Sequence, residues 1–147
     1  MIISFLSTFL GVLTAFILKW FYDSYQGRKN RSRLCDSLRE ELENSRKRLD
    51  YKGRLLPNSI WLSAINSGYV MLLPYDLRMK IADVYNGIEW YNYEAKRVRD
   101  VAHVAETTFH PTTAPKIQEY WGRLSTQLKV AESKLRKNIR ALLEQNW

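Results

Sequence analysis

The chain has 147 residues, 46% of them hydrophobic and 13% aromatic, so it carries material for a packed core and is not a disordered polyelectrolyte. Its net charge is +8, which points to anionic partners, either lipid headgroups or a polyanionic ligand. A single cysteine, Cys35, excludes an intramolecular disulfide and a cysteine-rich zinc site; it reads as a small apolar residue packed on a helix in a reducing compartment.

From Met1 to Leu18 no residue is charged, and Leu, Ile, Val and Phe fill most positions. Roughly 20 helical residues cross a hydrocarbon core of about 30 Å. Lys19 can snorkel to the headgroups, and Trp20, Phe21 and Tyr22 stand where an interfacial aromatic belt belongs. Residues 1–22 are therefore predicted to be one transmembrane helix. A cleaved signal peptide fits poorly, because no basic residue precedes the apolar run and bulky residues follow it. Lys19, Arg28, Lys29, Arg31 and Arg33 all follow the uncharged run Met1–Leu18 and are the expected juxtamembrane lipid contacts. The positive-inside tendency then places the N-terminus outside and the C-terminal domain in the cytoplasm, at a prokaryotic inner or plasma membrane.

Within the span, Ser4, Thr8, Gly11 and Ala15 recur in steps of four, three and four. At about 100° per residue they share one stripe. Lipid supplies no hydrophobic force between helices, so close approach at small residues does the associating. This stripe is the predicted transmembrane seam of a homo-oligomer.

Residues 23–30 form a juxtamembrane connector. Gly27 weakens a helix by roughly 1 kcal/mol relative to Ala, but no proline intervenes. The membrane helix either continues into the next one or hinges near Gly27. Residues 31–147 form the cytosolic helical domain. Leu34, Leu38, Leu42 and Leu49 mark its first apolar face, interrupted around Ser45 and Arg46, and Gly53 can end that helix. Asn58 or Ser59 can cap a short helix carrying Ile60, Trp61, Ala64 and Ile65. Tyr69 to Leu73 reads as a buried apolar connector.

Pro74 opens a third helix whose stripe runs Leu77, Ile81, Val84, Ile88, Tyr91, Ala95, Val98, Ala102 and Ala105. It should end between Glu106 and Thr108. Phe109 to Pro115 is a loop. A fourth helix follows, with Ile117, Trp121, Leu124, Leu128, Ala131, Leu135, Ile139 and Leu142 on its stripe. The short loop makes the two long helices antiparallel. The predicted fold is all-α: one N-terminal transmembrane helix, then a cytosolic helical domain built on a long antiparallel helical hairpin.

The charge is uneven. Residues 28–54 hold ten basic and five acidic residues, residues 116–144 seven and three, and residues 76–106 five and six. Catalytic signatures are missing: His103 and His110 are the only histidines, and there is no H-E-x-x-H, no G-x-S-x-G and no phosphate-binding glycine loop. The sequence predicts a non-enzyme with no cofactor, no catalytic residue and no metal site. One constellation stands out. Trp90 and Tyr93 precede Lys96, Arg97 and Arg99, and aromatics beside cations can stack bases and neutralise phosphates. These five are the candidate anionic-ligand residues; the competing reading is a core stripe through Tyr91 with a solvated basic face.

Residues 58–100, with Trp61, Ser67-Gly68, Leu72-Leu73-Pro74, Leu77-Arg78, Val84-Tyr85, Ile88-Glu89 and Tyr91-Asn92, resemble a pattern recurring in uncharacterised small single-span membrane proteins of bacteria and archaea. That resemblance implies no activity. In layout alone the chain is similar to ligand-gated membrane effectors of prokaryotic anti-phage defence, which respond to cyclic nucleotides. The function expected first is a membrane-anchored oligomerisation or interaction protein, with lipids, further copies of itself and a cytosolic protein as partners. The alternative is a signal-gated effector or pore that takes a nucleotide or another polyanion.

Overall fold

The computed structural model describes the backbone of residues 2–51, 53–107, 114–145 and 147, and the side chains of these except 2–9, 106 and 114. Four α-helices and one 3₁₀ turn account for the described chain: α1 (Ile2–Arg48), α2 (Ser59–Asn66), the turn (Tyr69–Leu72), α3 (Tyr75–Thr107) and α4 (Ala114–Leu143). The all-α class stands, with no strand among the described residues.

α1 is one uninterrupted helix of 47 residues, about 70 Å long. It runs straight through Gly27, so the hinge alternative is not taken and the 23–30 connector is helical. Its C-terminal half carries the bundle's first face, where Leu38, Leu42 and Leu49 are buried. Among the described residues, its N-terminal half carries none of the core. Among the described residues, no helix is long and apolar enough to cross a membrane. Within the residues whose side chains are described, the uncharged run extends from Leu10 to Leu18, about half of what a hydrocarbon core needs, before Lys19 and Asp23. The remainder of the predicted span, residues 1–9, lies outside the described side chains.

The two long helices pack antiparallel. Arg97 meets Tyr120, Gly87 meets Leu135 and Lys80 meets Gln145, so sequence numbers fall along one helix as they rise along the other. α1 runs beside α3 in the same direction, since Glu41 meets Tyr85 and Gly53 meets Arg99. It runs against α4, where Arg39 reaches the carbonyl of Gln145 and Asp50 reaches Arg136. The core of this three-helix bundle is formed by the leucines of α1, Trp61 and Ala64 of α2, the Leu77–Tyr91 stripe of α3, and Leu135, Ile139 and Leu142 of α4.

Three expectations need correction. Trp121 was expected inside but is 43% exposed, because α1 ends near the level of Arg136 and only α3 remains beside α4 there, so Leu124 turns fully inward and Trp121 does not. The segment before Pro74 is not a buried connector. Gly68, at φ 75°, stops α2 and starts a 3₁₀ turn that sends Val70 and Leu73 inward while Tyr69 and Met71 face out. α3 begins one residue after Pro74, whose carbonyl accepts the first bond from the Arg78 amide. Most of the expected loop, Phe109 to Thr113, lies outside the described residues.

Candidate functional site

The strongest polar constellation is buried at the centre of the bundle. Glu41 sits one step from Leu42 on the apolar face of α1 and is 3% exposed. Its Oε1 accepts from the Ile60 amide at 2.9 Å and from the Ser59 hydroxyl at 3.2 Å. Its Oε2 accepts from the Tyr85 hydroxyl at 2.6 Å and from the Trp61 amide at 3.4 Å. Asn58, which the sequence suggested as the cap of α2, makes no side-chain cap bond. The cap comes instead from a different helix, as a carboxylate on the positive end of α2. The Tyr85 ring stacks on Trp61 at 5.2 Å and 12°, which holds the phenol in place. Burial and the Glu41 carboxylate push the Tyr85 hydroxyl well above its ordinary pKa. All four partners are donors and both carboxylate oxygens are occupied, so the arrangement locks helices together; it offers no free group to a substrate.

A second lock fixes the linker after α1. The Asn92 side chain accepts from the Leu56 amide at 2.7 Å and donates to the Leu56 carbonyl at 2.9 Å, and Arg99 donates to the Gly53 carbonyl at 3.0 Å. Tyr91, beneath them, is fully buried, and its hydroxyl has no hydrogen-bond partner among the described residues. Burial pushes its pKa up.

The five candidate ligand residues do not form one patch. Trp90 and Tyr93 lie tilted 6.1 Å apart on the exposed side of α3. Arg97 joins them, 5.5 Å over the Tyr93 ring, but its charge is already met by buried Glu94 at 3.1 Å and by the Tyr120 hydroxyl at 2.7 Å. The Tyr120 bond is the main reason its pKa is raised. Arg99 points the other way, to Gly53, as its roughly 180° offset from Trp90 requires. Lys96 is exposed between the two directions. Beside Trp90, α3 and α4 form a groove of about 720 Å³ lined by Asp83, Gly87, Val130 and Lys134 among others. Gly87 permits this close approach, because a Cβ there would stand 3.1 Å from the tip of Leu135.

Of the predicted seam, Ser4 and Thr8 lie outside the described side chains. Ala15 is exposed, and a Cβ on Gly11 would meet nothing within 4 Å. Thr14, not singled out by the spacing, donates its hydroxyl back to the Leu10 carbonyl at 2.8 Å. Lys19, Arg28, Lys29, Arg31 and Arg33, the expected lipid contacts, are all exposed. Arg28 and Arg31 line a groove of about 300 Å³ with Ser32, Cys35, Asp36 and Trp147. Burial pushes the Cys35 thiol up, with Arg31 opposing. Among the described residues, no group of three or more His, Cys, Asp and Glu could hold a metal ion.

No known protein family matches the chain, and neither the curated proteins nor the solved structures compared with it give a match.

Proposed function

We propose that the chain is a membrane-anchored helical protein that works by self-association or by docking a partner, without chemistry of its own. The observation that carries this reading is the exposure of α1's first half. From Leu10 to Tyr22, the residues Leu10, Val12, Leu13, Phe16, Ile17, Leu18, Trp20, Phe21 and Tyr22 are each at least 46% exposed on a single helix. Such a surface is unfavourable in water, and together with the uncharged residues 1–9 it has the length and composition of a span. The basic residues that follow suit anionic headgroups, and the positive-inside tendency supports a cytoplasmic bundle in this reading. The seam at Ser4, Thr8, Gly11 and Ala15 is the contact between copies in this reading. Gly11→Leu tests it in the full-length protein. The substitution should leave membrane insertion intact and lower the oligomeric mass in detergent and in crosslinking. An unchanged mass removes the seam, and extraction of the wild type from membranes by alkaline carbonate removes the anchor.

The α3/α4 groove beside Trp90 favours a second reading, a signal-gated effector. The groove is open, and exposed Trp90 and Lys134 could stack a base and meet a phosphate. Calorimetry of the full chain in detergent against cyclic oligonucleotides tests this, and no heat across the panel removes it.

A further inference from the structure

Three features converge at the end of the bundle from which α1's apolar half emerges. The first is register. Tyr85 is level with Glu41 and α3 runs parallel to α1, so Tyr75, ten residues earlier, is level with about residue 31. Trp147 confirms which end this is, since it lines a groove with Arg28, Arg31 and Ser32. The second is composition. The turn after α2 packs on α1, yet it leaves Tyr69 52%, Met71 73% and Tyr75 64% exposed within seven residues. The third is charge. The Arg78 guanidinium lies 5.4 Å over the Tyr75 ring and 2.8 Å from the Met71 sulfur, and no carboxylate pairs with it among the described residues. Asp76, in the first turn of α3, is the one acidic residue within this short segment.

We propose that this end of the bundle rests on an anionic lipid surface, with Tyr69, Met71 and Tyr75 entering the interfacial layer and Arg78 meeting a headgroup phosphate. The proposal rests on the membrane-anchored reading and adds a second, non-helical contact to it. Aromatic rings and a thioether interleaved with a guanidinium match the headgroup boundary, which is apolar on one side and anionic on the other. Distance permits the contact. Arg31 follows Tyr22 by nine residues, about 14 Å along the axis, and the headgroup layer is about 5–8 Å thick on each side. Helix packing sets the turn roughly 10 Å off α1's axis. A tilt within the usual range of about 0–40° lowers that side toward the membrane, and outstretched side chains cover the rest.

The test uses the full chain carrying Cys35→Ser in phosphatidylcholine discs with and without phosphatidylserine. A bimane label is placed through Met71→Cys, Tyr51→Cys or Phe16→Cys, one at a time, and nitroxide lipids serve as quenchers. The expected result is several-fold stronger quenching by headgroup-level nitroxide at position 71 than at position 51. Arg78→Glu or removal of phosphatidylserine should reduce it, while position 16 stays quenched by mid-chain nitroxide throughout. Quenching at position 16 with none in excess at position 71 overturns the proposal and leaves the anchor standing. No quenching at position 16 overturns both. A label at position 71 that is shielded in a protein-concentration-dependent way, and indifferent to nitroxide lipid, makes the patch a contact between copies and overturns the proposal.

Discussion

Tyr85 donates its hydroxyl to Glu41 at 2.6 Å, and that bond joins the two helices that run parallel through the bundle. The same carboxylate caps α2, so one side chain fixes α1, α2 and α3 against each other. Ser45, the next polar residue on that face, returns its hydroxyl to the Glu41 carbonyl at 2.9 Å, so the two buried polar side chains described on α1 are both paired.

Glu41→Ala should be among the most damaging single changes in the bundle. It removes the cap of α2, typically worth about 1 kcal/mol, and strands a buried phenol at a cost of about 1–3 kcal/mol. A loss of about 2–4 kcal/mol is expected in denaturant unfolding of the detergent-solubilised protein. Glu41→Gln keeps the volume and one acceptor and should lose about half of that.

Alkaline pH should weaken the same junction. Tyr85's pKa is raised on folding, first by burial and then by Glu41. A raised acid pKa contributes stability that is complete below the unfolded value near 10 and is lost as pH climbs beyond it. Tyr85→Phe should cost about 0.5–1.5 kcal/mol at neutral pH and flatten the alkaline decline of the melting temperature. Tyr91, also raised by burial, leaves a residual slope. An identical slope in wild type and variant would refute the assignment.

Gly87 tests the contact between the long helices. Gly87→Ala gains helix propensity of about 1 kcal/mol but places a methyl 3.1 Å from the mobile end of Leu135, so the net change in stability should be small. Gly87→Leu has no such escape and should cost about 1–3 kcal/mol through overpacking. It should also narrow the groove beside Trp90.

Two positions on α4 separate buried stripe from exposed stripe. Ile139→Ala removes a fully buried side chain and should cost about 2–5 kcal/mol. Trp121→Ala, at a site 43% exposed, should cost far less despite the larger residue. Thermal melts by far-ultraviolet circular dichroism compare the two directly.

Helix-period spacing made most of the fold legible. The stripes on the two long helices placed Leu77, Ile81, Ile88, Leu135 and Ile139 inside, where they are found. Proline and glycine marked the breaks at Pro74 and Gly68. Trp121 escaped that logic because the stripe continues past the point where a third element covers it. Glu41 was hidden for the opposite reason: a carboxylate on a charged helix reads as surface. The signal was its place on the Leu38–Leu42–Ser45–Leu49 face, a polar residue where the period demands an apolar one. The basic–aromatic cluster was legible as composition but not as geometry, since residues three to nine apart on a helix diverge around its axis. The Tyr69–Met71 exposure depended on a 3₁₀ turn whose inward and outward alternation no helical or strand period describes.

The unbroken passage of α1 through Gly27 also sets a phase. With no hinge, the direction in which Gly11 and Ala15 face is tied to the direction in which Leu38 and Leu42 face by residue count alone. Each residue inserted into the stretch between Tyr22 and Leu34 would turn one end against the other by about 100° and lengthen the rod by about 1.5 Å. A twist applied to the apolar half would therefore reach Glu41 as rotation instead of being dissipated in a flexible joint, and α2, whose N-terminus that carboxylate caps, would feel it directly.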